Sequence, residues 1–294
     1  MSQQVNFYSD GLCLSGELNF AIGVDQAPGV VCVHGYTGRK ETYMPPFIRE
    51  LNKAGFHTLD FYHRGFGKSE GIRLLADPEG QVRDILSALI FLRQYPQIGI
   101  NSVAIMGLSH GGATSIKAAA LDANVSCIVT IGAPGNGKRW MKSKRTPEEW
   151  KNLELRLVDD RLKRVLEGES SRVPYIEMAP PGPAERSAFK TMYKPEDSNP
   201  EGYPLQNIDL AVEFRSEDFI GSIAPRPILM IHGVEDTMVP YSEAESLYEK
   251  ASEPKKLISV PDINHADVYE ARNPEVFNTV ILETINWFKK YLYQ

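Results

Sequence analysis

Apolar residues in this chain fall into short continuous runs separated by stretches of helical spacing. Val30-Val31-Cys32-Val33, Val103-Ala104-Ile105-Met106, Cys127–Ile131 and Pro227-Ile228-Leu229-Met230-Ile231-His232 are such runs. Each is too short for a helix and lacks a polar face, the pattern of a strand buried on both sides. Further strands are predicted at His57–Phe61 and over 257–260. Ile85, Leu86, Leu89, Ile90 and Leu92 recur at helical spacing and predict a helix over about 78–95. Small residues from Gly112 to Ala120 predict another, and helices are expected near 45–54, 241–252 and 274–292. Residues 5–23 alternate in places around a Ser9-Asp10-Gly11 turn, which reads as a leading antiparallel hairpin.

Strands alternating with helices imply an α/β fold, a mostly parallel central sheet with helices on both faces. The alternation breaks at Ala133-Pro134-Gly135 and resumes at Pro227. Between them a basic stretch, Lys138 to Arg145, leads into a well-signalled helix. Thr146 can cap it, Pro147 suits its first position, Glu149 completes a capping box, and Gly168 can end it. Pro- and Gly-rich loops follow. Residues 136–210 therefore read as an inserted, mainly helical cap, with 1–135 and 211–294 forming one α/β core.

The 294 residues suffice for such a core plus an insertion. A formal net charge of −6 argues against a nucleic-acid partner and gives no general attraction to anionic membranes. Cys13, Cys32 and Cys127 form no CxxC pair and sit in runs that read as strand, so buried free thiols are expected. The first residues lack the basic and apolar regions of a signal peptide, and no run of about 20 apolar residues occurs. A cytoplasmic location is the expectation.

The chemistry centres on Gly107-Leu108-Ser109-His110-Gly111, between an apolar run and a small-residue helix. A serine at the apex of a sharp strand-to-helix turn is pushed into the open, and the crowded flanking positions must lack side chains. An acid and then a histidine should follow later in the chain. Asp236, in Gly233-Val234-Glu235-Asp236, is the candidate acid, with Glu235 as a rival expected to point outward. His265, in Asn264-His265-Ala266, is the candidate base, since imidazole can take the serine proton and return it near neutral pH. The backbone N–H groups of Tyr36 and His110 are expected to hold a developing oxyanion. His34 is expected to support the turn after its strand, and His57, His63 and His232 to be structural.

Taken together, His34-Gly35-Tyr36-Thr37-Gly38, the segment from Asp60 to Ser69, the Ser109 turn, His232-Gly233-x-x-Asp236 and Asn264-His265 resemble the α/β-hydrolase superfamily over roughly 28–134 and 224–290. The chain is most similar to cytosolic acyl esterases and dienelactone-hydrolase-like enzymes, a group that also resembles the catalytic domains of prolyl peptidases. The resemblance implies an intact Ser-His-Asp triad and no metal or organic cofactor.

The leading expectation is a serine hydrolase acting on a small-molecule carboxylic ester or thioester. Amide or peptide cleavage and acyl transfer would use the same residues, and a ligand-binding protein that lost turnover is the alternative from another class. Trp140, Tyr175 and Tyr193, with Phe189 and Tyr203, are expected to line an acyl pocket. The basic run at 138–145 reads as a solvated surface, and the alternative is that it attracts an acidic substrate. The oligomeric state, a homodimer included, is left open.

Overall fold

The computed structural model of the chain describes residues 2–98, 102–178, 180 and 201–293. The leading hairpin is β1 (Ser2–Ser9) and β2 (Leu12–Asn19). Then come β3 (Gly29–Val33), α1 (Lys40–Lys53), β4 (His57–Phe61), α2 (Pro78–Leu92), β5 (Val103–Leu108), α3 (His110–Leu121) and β6 (Cys127–Ile131). Between β6 and the next strand of the sheet lie α4 (Gly137–Ser143), α5 (Pro147–Glu167), β7 (Arg172–Val173), α6 (Tyr175–Met178), β8 (Tyr203–Pro204) and α7 (Gln206–Glu213). The chain closes with β9 (Ile228–Gly233), α8 (Tyr241–Lys250), β10 (Lys255–Val260) and α9 (Pro274–Leu292).

Eight strands form one sheet in the order β1-β2-β4-β3-β5-β6-β9-β10. From β4 to β10 every pairing is parallel, and β1 and β2 add an antiparallel edge. The completely buried residues of β3, β4, β5, β6 and β9 explain their unbroken apolar runs. One face packs on α2 and α3 through Ile85, Leu89, Leu92 and Ile116. The other packs on α1 and α9 through Phe47, Leu51, Phe277 and Phe288. Parallel neighbours need crossovers, and helices that return over alternate faces leave the C-terminal strand ends clear for loops.

Register levels those ends. Val33 lies opposite Gly107, Leu108 opposite Ile131, and Gly233 opposite Val260. The loops after β3, β5, β6, β9 and β10 therefore emerge along one edge of the sheet.

Helix α1 starts earlier than the sequence suggests and carries Pro45 and Pro46 inside it. Proline there removes two backbone donors. The burial of Met44, Phe47, Ile48 and Leu51 on one face offsets the loss. Helix α5 begins and ends where its caps place it. Thr146 Oγ1 accepts the Glu149 N–H at 3.2 Å, the Glu149 carboxylate accepts the Thr146 N–H at 2.8 Å, and Gly168 closes the helix at φ 82°. Such an N-cap contributes about 1 kcal/mol.

The elements between β6 and β9 gather a third buried cluster. Trp140, Met141, Trp150, Leu153 and Ile208 pack there with Tyr36, Phe66 and Leu74 of the sheet's loops. The boundary expected at 210 falls inside α7. The basic run is solvated in part, as expected: Lys138, Arg139 and Lys142 are exposed, but two of its residues are also engaged by the fold. Lys144 is fully buried, and Arg139 pairs with Glu217 at 2.9 Å and Glu243 at 2.6 Å. Among the described residues no helix is long and apolar enough to cross a membrane.

Candidate active site

Ser109 stands alone between the end of β5 and the start of α3, at φ 53° and ψ −126°. A non-glycine residue held there stores on the order of 1–3 kcal/mol of strain, sustained by the surrounding packing. Its N–H donates to Ile131 O at 2.7 Å, and its carbonyl accepts the Gly112 N–H at 2.8 Å. The flanking glycines are required by close approach. A Cβ on Gly107 would meet Gly111 O at 2.5 Å, and one on Gly111 would meet His34 O at 2.3 Å.

Asp236 and His265 reach the same point from the loops after β9 and β10. His265 Nε2 lies 3.0 Å from Ser109 Oγ, and its Nδ1 lies 2.6 Å from Asp236 Oδ2. The other carboxylate oxygen of Asp236 accepts the Met238 and Val239 N–H groups at 2.9 and 2.8 Å. Burial works to raise the Asp236 carboxyl. The positive field of His265 and hydrogen bonds from His232 and His265 outweigh it and hold the group well below the usual carboxylate range. Glu235 is exposed, as expected, with its N–H donating to Ile263 O at 3.1 Å.

Two participants were not foreseen. His232, expected to be only structural, puts Nε2 3.3 Å from Asp236 Oδ2 while donating to Val239 O at 2.8 Å. Asn264 Oδ1 accepts from the Thr237 N–H at 3.3 Å, the Thr237 hydroxyl at 3.2 Å and the His265 N–H at 2.7 Å. It thereby ties the loop of Asp236 to the loop of His265.

The turn after β3 comes up against the serine. A Cβ on Gly35 would lie 3.4 Å from Ser109 Cβ and 3.9 Å from its Oγ. His34 Nδ1–H donates to Gly35 O at 2.8 Å, and its Nε2 accepts the His63 N–H at 3.2 Å. His63 in turn meets the fully buried Asp84 at 3.3 Å. Burial raises the Asp84 carboxyl, but His63 and Arg64 pull it down to about 2.

The alpha/beta hydrolase fold family profile matches residues 28–271. The chain belongs to this family. The thiohydrolase aneE of Aspergillus aculeatus is 38% identical over 123 residues, covering 42% of this chain and 38% of that protein. The α/β hydrolase GrgF of a Penicillium species superposes with a TM-score of 0.83 at 21% identity, covering 100% of both chains. An esterase of Pyrococcus furiosus superposes with a TM-score of 0.66 at 20% identity, covering 99% of this chain and 91% of that one.

A cavity of about 560 Å³ opens over Ser109 in this α/β hydrolase, with Tyr36, Leu108 and His265 in its lining. Trp140, Tyr175 and Tyr203 line it as well, together with Met238 and Val239. Trp140 is locked in place by its Nε1–H, which donates to Met238 O at 2.7 Å. Tyr193 and Phe189 lie outside the described residues.

Beside Ser109, His110 is buried against Trp140 and Tyr36, with ring centroids 6.0 and 5.0 Å away. Burial lowers both His110 and His34 from 6.5 to about 3. Below pH 6.5 the unfolded chain takes up protons on these imidazoles that the folded chain refuses until about pH 3. Their contribution to stability is complete above pH 6.5 and drains away between 6.5 and 3. The thermal midpoint should therefore begin to fall just below neutrality, before carboxylates titrate. His110→Phe should flatten that fall, as measured by thermal unfolding across the same pH interval.

Proposed function

We propose that the protein is a serine hydrolase that cleaves a carboxylic ester or thioester through an acyl-enzyme. The observation that carries this reading is His265 bridging Ser109 Oγ at 3.0 Å and Asp236 at 2.6 Å. His265 Nε2 takes the Ser109 proton as Oγ attacks the acyl carbon, and the same proton passes to the departing alcohol or thiol. Water, deprotonated by His265, then attacks the acyl-enzyme and releases the acid. Asp236, held ionised by its surroundings, fixes the imidazole tautomer and stabilises the imidazolium. The N–H groups of Tyr36 and His110 receive the oxyanion, a role supported by the close approach of the Gly35 turn to Ser109. The thiohydrolase relative and the esterase neighbour favour these two acyl linkages.

Mixing the enzyme with an activated aryl ester tests the proposal. A burst of aryl alcohol stoichiometric with enzyme, followed by slower turnover, is expected. Absence of any burst, with no label on Ser109 from a fluorophosphonate, would leave a binding protein instead.

Residues 136–210 act in this reading as a cap that shapes the acyl site. Trp140 and Tyr175, drawn from that segment, line the cavity over Ser109. Trp140→Ala should shift the preferred acyl length more than it lowers turnover of a small activated acetate. An unchanged chain-length profile would assign the pocket to the core loops.

A further inference from the structure

The lining of the cavity is chemically lopsided. It includes Arg39, Lys40 and Arg272, and among its described residues no Asp or Glu. This holds in a chain whose formal net charge is −6. The three cations come from two places. Arg39 and Lys40 open α1, a few residues after the Tyr36 turn, and Arg272 follows the segment that carries His265. Both places belong to the wall built by Tyr43 and Tyr269, whose rings stack at 4.3 Å. The opposite composition marks the wall of Trp140, Tyr203, Met238 and Val239, which joins the third apolar cluster.

Among the described residues no carboxylate forms an ion pair with Arg272. Asp60 pairs with Lys40, Glu270 with Arg49 at 2.5 Å, and Glu41 accepts from the Tyr62 hydroxyl at 2.8 Å. Asp267 is occupied by the Asn264 N–H at 2.7 Å. Arg272 is exposed, its backbone N–H is fixed to Tyr269 O at 2.9 Å, and its guanidinium makes no ion pair among the described residues. A cation beside a cleft with low-dielectric aromatic walls focuses its field into that cleft. Arginine also offers carboxylate and phosphate oxygens a planar, two-pronged donor set.

We propose that the substrate carries an anionic group, a carboxylate or a phosphate, which Arg272 receives on the Tyr43–Tyr269 wall while Ser109 engages the acyl carbon. This rests on the hydrolase reading above and adds the class of substrate. The anion has two sources, the far end of the acyl chain or the leaving group. Arg272 acts on binding, so its effect belongs in kcat/KM and depends on ionic strength.

Two matched pairs separate the sources. Mono-p-nitrophenyl glutarate against p-nitrophenyl butyrate places the charge on the acyl chain. Butyryl-coenzyme A against S-butyryl-N-acetylcysteamine places it on the leaving group. In at least one pair the anionic member is expected to exceed the neutral one by about tenfold in kcat/KM at low salt, and the advantage should shrink as salt rises. Arg272→Glu should cut that ratio about five- to tenfold, and Arg272→Lys should retain most of it. No advantage in either pair, or an advantage that survives Arg272→Glu, overturns the proposal. Failure of the hydrolase reading looks different, since the neutral members would then go unhydrolysed. In that event calorimetry on Ser109→Ala decides the matter. Tighter binding of coenzyme A than N-acetylcysteamine, or of glutarate than butyrate, supports the anion site, and equal binding rejects it.

Discussion

Ser109→Ala is expected to lower turnover of an activated ester by a factor on the order of 10⁶ while leaving the fold intact. That factor corresponds to about 8 kcal/mol of transition-state stabilisation. In the proposed mechanism it is lost together because serine and histidine act as one unit, and without Oγ no acyl-enzyme can form. A residual acceleration of roughly 10³ should survive from the backbone donors and the pocket. The substitution leaves the positive-φ strain in place, since alanine also carries a Cβ and must adopt the same φ 53°. A fluorophosphonate, whose phosphorus bonds to Oγ as fluoride is expelled, should label Ser109 in the native chain and nothing in the variant. Label at another serine, or turnover within tenfold of native, would remove Ser109 from the mechanism.

Asp236→Asn should keep the fold and lower kcat by roughly 10⁴. The amide retains an acceptor oxygen for the Met238 and Val239 N–H groups, so the turn survives. If its nitrogen faces His265, however, it presents N–H where the native oxygen accepts, which favours the imidazole tautomer that cannot take the serine proton. Glu235→Gln, at an exposed side chain, should change kcat by less than about twofold. Steady-state kinetics on the two variants decides between the carboxylates, and a reversed result would exchange their roles.

Much of this architecture is legible in the chain because the strands are buried on both faces. The predicted runs at His57–Phe61 and Cys127–Ile131 coincide with β4 and β6 residue for residue. The start of α1 was harder, since Pro45 resembles a first helical residue and its tolerance inside depends on tertiary packing. The two-residue strands β7 and β8 are too short to leave a periodic signal. Within the candidate site, the convergence of Ser109, Asp236 and His265 could be anticipated because each follows a strand in the order that the motif demands. His232 was not. Its approach to Asp236 arises from a tight turn four residues long, and nothing in the spacing states which way the ring points. The tie through Asn264 depends likewise on two loops meeting in space. The pairing of Arg139 with Glu243 depends on α4 meeting α8, and Lys144 is buried with its Nζ 3.9 Å from Met238 Sδ, contacts that the spacing of the basic run does not state.

The hydrogen bond between Ser109 and His265 joins positions 156 residues apart. Between them lie β6, the whole inserted stretch, β9 and β10. Neither half of the chain contains a working site, and neither does any state in which β9 has yet to dock on β6. Contacts of such long sequence separation form late, because the intervening loop must first be closed. During refolding, helical signal should recover before hydrolysis does. Activity in this molecule is thus a gauge of complete assembly, silent for every collapsed intermediate that has secondary structure but not yet its last strands.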